Sequence, residues 1–306
     1  MRVRNILIAL DKQEESDPLL GKSIRLAKAL DATLHVVHVV HDSVIDARDA
    51  YQSEADRTEL KSYILQAEEE YLNELLDSWR DDYPNFESAT VWNARKWQGI
   101  LDVAEICEAD LVVKPVSRAQ GLKKYLRTSD DWNLIRHANC EVLLVIPDPW
   151  PEQMNLLVAI DAYDDEHEQL NRKLLTRARD LGVALGARIH LVSAYPSFHP
   201  YSEKLGNAYG YEALKDALEE GLTDRVMELL EALEIESGSM QVHIREGIPQ
   251  LAIEEVADEV AADITLIGTA ARSGIAGFFL GNTAENILQY NESDVMTVRL
   301  NPERSA

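Results

Sequence analysis

Asn5-Ile6-Leu7-Ile8-Ala9-Leu10-Asp11 is a short apolar run that ends in a carboxylate, and the pattern returns as Asn155-Leu156-Leu157-Val158-Ala159-Ile160-Asp161. Three further blocks come back in the same order. Ala32-Thr33-Leu34-His35-Val36-Val37 realigns on Ala187-Arg188-Ile189-His190-Leu191-Val192, and Ala109-Asp110-Leu111-Val112-Val113 on Ala262-Asp263-Ile264-Thr265-Leu266. Glu141-Val142-Leu143-Leu144-Val145 realigns on Asp294-Val295-Met296-Thr297-Val298. Four ordered matches mark an internal duplication, and each copy must then be one structural unit.

Within a copy, β-rich runs alternate with helical periodicity, the pattern of an open parallel sheet covered by helices on both faces. The first copy predicts strands near 4–10, 33–40, 88–92, 110–114 and 142–146, with helices over 19–30, 59–81, 100–107 and 131–137 between them. The second predicts strands near 155–160, 188–194, 241–245, 263–268 and 295–299. Right-handed crossovers leave a doubly wound α/β sheet as the fold of each copy. Pro147, Pro149 and Pro151 exclude helix between them. The expected organisation is a first domain over 1–147, a stiff linker over 148–152 and a second domain over 153–306. Each domain ends in an edge strand, so the halves are expected to supply to each other the pairing that separate chains would share. A monomer built as an intramolecular pseudo-dimer follows.

Composition narrows the partners. Among 306 residues, Lys and Arg total 30 against 54 Asp and Glu, a formal net charge of -24. Both halves are acidic, and such a surface repels nucleic-acid backbones and anionic membranes. Neither is expected as a partner. The run before Asp11 is too short for a signal-peptide core, and no later run reaches the length of a membrane span, so a cytoplasmic protein is expected. Cys107 and Cys140 stand without CxxC spacing and read as buried, reduced thiols.

Ligands of open α/β sheets bind beyond the carboxyl ends of the strands, where strand order reverses. After the fourth strand of the second copy comes a glycine-rich stretch from Gly268 through Gly274 and Gly277 to Gly281-Asn282-Thr283-Ala284-Glu285. Glycines let backbone N–H groups approach a phosphate, and the helix N-terminus after Gly281 adds partial positive charge. The plainer reading makes Gly268 and Gly281 turn residues and Asn282 with Glu285 a capping box. Both readings stand on spacing alone.

The span from Gly268 to Gly281 resembles the nucleotide loop of the universal stress family, G-x2-G-x9-G-[ST]. Ala271 replaces the second glycine and Asn282 follows the last. The string FLGNTAE, the PWP linker and a Thr-x-Asp-Trp string before the last helix of the first copy extend the resemblance, toward tandem E-type members, over essentially the whole chain. It implies a stress-response protein that acts by binding and catalyses nothing. It also implies a weakly held ATP or other adenine nucleotide, with Mg²⁺, at Asp161, Ala194, Gly268, Ala271, Gly281, Asn282 and Thr283. The first copy has Pro115, Arg118 and Thr128 at the positions of Gly268, Ala271 and Gly281, so its loop is degenerate. Asp130 and Asp131 there are expected to cap the next helix and to repel phosphate.

Other residues point less far. Strand alternation puts His38 on the face opposite His35, so with His41 they form no three-ligand metal site. No Gly-x-Ser-x-Gly elbow, Walker lysine or HExxH occurs. Trp92 and Trp97 read as domain-interface aromatics, and Tyr201, Tyr209 and Tyr211 as a stretch that either packs or covers a pocket. Two alternatives remain: an adapter for a protein partner or an apolar, lipid-like ligand walled by Phe278, Phe279 and these tyrosines, and a weak ATPase.

Overall fold

The structure is a computed structural model, and it describes residues 2–11, 16–47, 54–118, 125–126, 128–197, 211–236, 238–269 and 292–300. The chain forms two compact units, Met1–Pro149 and Trp150–Ala306.

In the first unit β1 (Asn5–Leu10), β2 (Thr33–Val40), β3 (Phe86–Trp92), β4 (Leu111–Pro115) and β7 (Glu141–Val145) pair in parallel in the order β3-β2-β1-β4-β7. Two-residue strands β5 (Ser117–Arg118) and β6 (Tyr125–Leu126) form an antiparallel rung after β4. The helices are α1 (Ser16–Leu30), the short α2 (Ser43–Asp46), α3 (Glu54–Asp77), α4 (Lys96–Ile106) and α5 (Ser129–His137). Strand alternation separates the two faces. Leu7, Ala9, Val37, Val39 and Val112 pack with Ile100, Val103 and Ala104 of α4 and Leu134 of α5. The helices α1 and α3 share a face: the Trp79 ring, just after α3, stands at Gly21, where an added Cβ would meet it at 3.8 Å.

The second unit repeats the plan. Strands β8 (Asn155–Ala159), β9 (Arg188–Tyr195), β10 (Met240–Glu246), β11 (Ile264–Thr269) and β12 (Asp294–Arg299) run parallel in the order β10-β9-β8-β11-β12. Its helices are α6 (Glu168–Leu185), α7 (Tyr211–Ala232) and α8 (Pro249–Glu259), with one 3-10 turn at Asp165–His167. Both sheets are the doubly wound arrangement expected from the sequence.

Matched side chains pin matched backbone. The Asp110 carboxylate accepts from Arg4 N at 2.7 Å and Asn5 N at 3.1 Å, and Asp263 accepts from Asn155 N at 2.7 Å. The Asn5 and Asn155 amides reach the carbonyls of Glu108 and Val260. Each unit also sends an α-helical lysine to the carbonyl at the end of its last strand. Lys22, 4% exposed, donates to Ile146 O at 2.9 Å, and Lys173 donates to Arg299 O. Linker residue Trp150 donates its indole N–H to buried Asp294 at 2.7 Å.

Several side chains depart from the sequence reading. Trp92 and Trp97 find their partners inside the first unit: Trp92 donates to Asp46, and Trp97 stacks on His137 with ring centroids 5.0 Å apart. The free thiols Cys107 and Cys140 are half-buried against the α4 core cluster. Burial nevertheless pushes the Cys107 thiol up and keeps it protonated.

Candidate functional site

In the second unit β8 lies between β9 and β11, so successive crossovers leave it in opposite directions and the strand order reverses there. Asp161 stands just past β8. Val158 pairs with Leu266, which carries Gly268 to a place opposite Ile160 and beside Asp161. Two of the expected site residues therefore meet at the carboxyl end of the sheet. Ala194 is the penultimate residue of β9, half-buried, on the other side of β8. Ala271, Gly281, Asn282 and Thr283 lie outside the described residues, as do Tyr201, Tyr209, Phe278 and Phe279.

Gly268 is not a turn residue. It lies within β11, and a Cβ built on it would stand 2.5 Å from Leu170 Cδ2 and 2.9 Å from Leu170 Cγ. Its lack of a side chain lets α6 sit close over the strand, so its glycine is required by packing whatever the loop beyond it does.

The loop after β8 is braced from every side. The buried Asn171 side chain spans the backbone of Asp161, accepting from its N–H at 3.1 Å and donating to its carbonyl at 2.7 Å. Ser193 Oγ accepts from Ala162 N at 3.3 Å. Arg225 of α7 donates to the carbonyls of Ala162 and Tyr163 and lies 3.3 Å from the Asp165 carboxylate. The Asp161 carboxylate turns inward on the same loop. Its Oδ1 accepts from Tyr163 N and Asp164 N at 3.2 Å each, and its Oδ2 lies 3.0 Å from His167 Nδ1.

None of Asn171, Ser193, His167 and Arg225 was singled out from sequence. Asn171 left a trace, being the one polar residue among Leu170, Leu174, Leu175 and Ala178 on the buried stripe of α6. The others left none, because a loop clamped from a helix sixty residues away has no local pattern.

The corresponding end of the first unit is filled by its own charges. Asp11 is held by Lys96 at 2.6 Å. Lys114 of β4 lies 2.9 Å from Asp131, whose residue is fully buried. Thr128 is the N-cap of α5 and shares a capping box with Asp131, which takes its backbone N–H at 2.6 Å, so the cap is Thr128 and not an aspartate. Past β2, the Asp46 carboxylate gathers Lys61, His41 at 2.9 Å and Trp92 at 3.3 Å. The Lys61 hydrogen bond holds that carboxyl below its usual range.

The histidines also part company between units. His35 lies 3.1 Å from Glu87, whereas His38 lies 3.3 Å from Glu68 and 3.1 Å from the Leu10 carbonyl. In the second unit His190, at the position of His35, meets His243 of β10 across 3.2 Å, both rings buried. Burial holds both imidazoles below their usual pKa, and each lowers the other's tendency to charge only in company with Arg188 and Arg245 nearby. Among the described residues no group of three His, Cys, Asp or Glu could hold a metal ion, and no helix is long and apolar enough to cross a membrane.

Comparison with known proteins agrees with this plan. The chain is 27% identical to a universal stress protein E homolog of Haemophilus influenzae, over 98% of both chains. It is 24% identical to universal stress protein E of Escherichia coli K12, covering 97% of this chain and 94% of the relative. A crystal structure of a putative universal stress protein from Pseudomonas aeruginosa UCBPP-PA14 superposes with a TM-score of 0.72 at 25% identity, over 97% of this chain and 93% of that one. A universal stress protein from Archaeoglobus fulgidus, 16% identical, shares the fold at a TM-score of 0.66 over 98% and 99% of the two chains. The family model described as "Universal stress protein family" matches residues 2–145 and again 154–299. Matched once by each of its halves, the chain belongs to the universal stress protein family.

Proposed function

We propose that this protein serves the stress response by binding and not by turnover, with one adenine-nucleotide site, at the carboxyl end of the second unit's sheet. The observation that carries the reading is the asymmetry of the two sheet ends. Lys96 and Lys114 neutralise Asp11 and Asp131 in the first unit, whereas in the second the loop from Asp161 to His167 is braced in place and borders Gly268, where the glycine-rich stretch begins. Residues held before a ligand arrives lower the ordering cost of binding it. Mg²⁺ would enter with the triphosphate, screening it from an acidic surface. Location in the cytoplasm and a monomeric state belong to the same proposal.

The test is calorimetric titration of Mg²⁺-ATP into the full chain, beside mass spectrometry of whatever native protein releases. Gly281→Asp should abolish binding and Thr128→Asp, its counterpart in the first unit, should leave it intact. Equal loss from the two would remove the asymmetry. Release of an apolar molecule, with no titratable ATP site, would favour the adapter reading, and steady phosphate production would favour the ATPase.

A further inference from the structure

We infer that His167, and not the Asp161 carboxylate, is the side chain with which the second unit grips the nucleoside end of its nucleotide, a step that rests on the nucleotide reading above. A carboxylate offers about four lone-pair sites. Three of those on Asp161 are taken by Tyr163 N, Asp164 N and His167 Nδ1. Its backbone N–H and carbonyl are both taken by Asn171. Asp161 is thus a positioning residue, its bonding spent on the loop that carries it.

The imidazole is what the loop presents. Facing a carboxylate, Nδ1 is the nitrogen that carries the proton, and Nε2 is left with the lone pair. The His167 side chain is 36% exposed, and among the described residues Nε2 has no protein partner. It is an acceptor of fixed tautomer on a braced loop, suited to a ligand N–H or O–H. An adenine amino group and a ribose hydroxyl are the nucleotide's donors. Asp164, Asp165, Glu166 and Glu168 surround His167 in sequence and disfavour phosphate there. The uncharged end of the ligand therefore meets His167, and the phosphates lie toward the stretch that begins at Gly268. The first unit offers nothing equivalent, since Asp11 is closed by the Lys96 ammonium, which has no lone pair to give.

Titrating Mg²⁺-ATP into the full chain and its variants tests the assignment, with thermal melts confirming that each variant folds. His167→Phe should weaken ATP about tenfold, the worth of one hydrogen bond. His167→Gln, which restores an acceptor, should recover to within about threefold of wild type. Inosine triphosphate, 2′-deoxy-ATP and 3′-deoxy-ATP identify the donor, because the Phe penalty must vanish against the analogue that lacks it. Unchanged ATP affinity in His167→Phe, while Gly281→Asp still abolishes binding, overturns this inference and leaves the nucleotide reading standing. A penalty that persists against every analogue overturns it as well. Failure of the wild-type protein to bind ATP removes both.

Discussion

The two units agree at the amino ends of their strands and disagree at the carboxyl ends. Asp110 and Asp263 pin the first strand of each sheet, Asn5 and Asn155 reach matched carbonyls, and Lys22 and Lys173 latch matched strand ends. At the opposite end Asp11 meets Lys96 while Asp161 organises a loop with His167. Leu20, fully buried, stands in α1 where the lysine alignment places Asn171 in α6. Pro115 stands where Gly268 lets α6 approach its strand. Duplication has preserved the contacts a sheet needs to exist and has let those at its ligand-binding end diverge, which is the separation of scaffold from site expected of a fold that hosts many functions.

The largest way to break the comparison is to undo the self-neutralised end. Asp131→Ala strips a buried lysine of its partner and the α5 cap of its return bond, at an expected cost of about 3–5 kcal/mol. Urea unfolding followed by tryptophan fluorescence reads it cleanly, because Trp79, Trp92, Trp97 and Trp132 all lie in the first unit. A loss below about 1 kcal/mol would mean that Lys114 is satisfied by the Pro115 carbonyl it also reaches, and that the pair is incidental.

In the second unit Gly268→Ala drives a methyl group into Leu170 and should cost about 1–3 kcal/mol by overpacking. Hydrogen exchange along β11 should quicken. Indifference to the methyl group would show that α6 shifts freely, and that the glycine is there for the loop alone. Asn171→Leu imports the first unit's residue and removes two hydrogen bonds from the backbone at Asp161, about 1–2 kcal/mol in all. It should raise exchange at Asp161 while leaving β8 protected. Unaltered exchange there would show that Ser193 and Arg225 suffice to hold the loop.

The fold was legible because the duplication displayed it twice: every principal strand of both sheets falls within two residues of its expected place. Helix starts were read late, α3 at Glu54 and not 59, because its polar first turn carries no apolar stripe. The site was legible only in outline. Asp161 and Gly268 could be placed from the ends of apolar runs, since strand ends are local features. What Asp161 bonds to could not, because Asn171 and His167 are brought to it by a chain reversal and Arg225 by tertiary packing. Gly268 was read as a turn because its tight neighbour, Leu170, is nearly a hundred residues away.

The smallest expected effect is also the one that separates the units by pH. His190 and His243 share one buried hydrogen bond across 3.2 Å, with Arg188 and Arg245 on their strands and Glu259 on α8 as the charged groups around them. Burial lowers both folded-state values below 6.5, and the arginines push the same way while Glu259 opposes them. The unfolded chain, with ordinary histidines, then binds protons first on acidification. The pair's contribution to stability is complete above 6.5, declines as the pH falls through that value, and is lost by the time the pH passes the lowered folded values. Unfolding of the second unit, followed by hydrogen exchange in β9 and β10, should therefore become easier between pH 7 and pH 5. The background slope comes from carboxylates common to both units. Replacing the pair together, as His190→Leu with His243→Leu, should flatten the part specific to the second unit without leaving either ring unpaired. A double variant whose β10 exchange keeps the full acid dependence would assign that dependence to the Arg245 and Glu259 ion pair, 2.7 Å apart at the same edge, and not to the imidazoles.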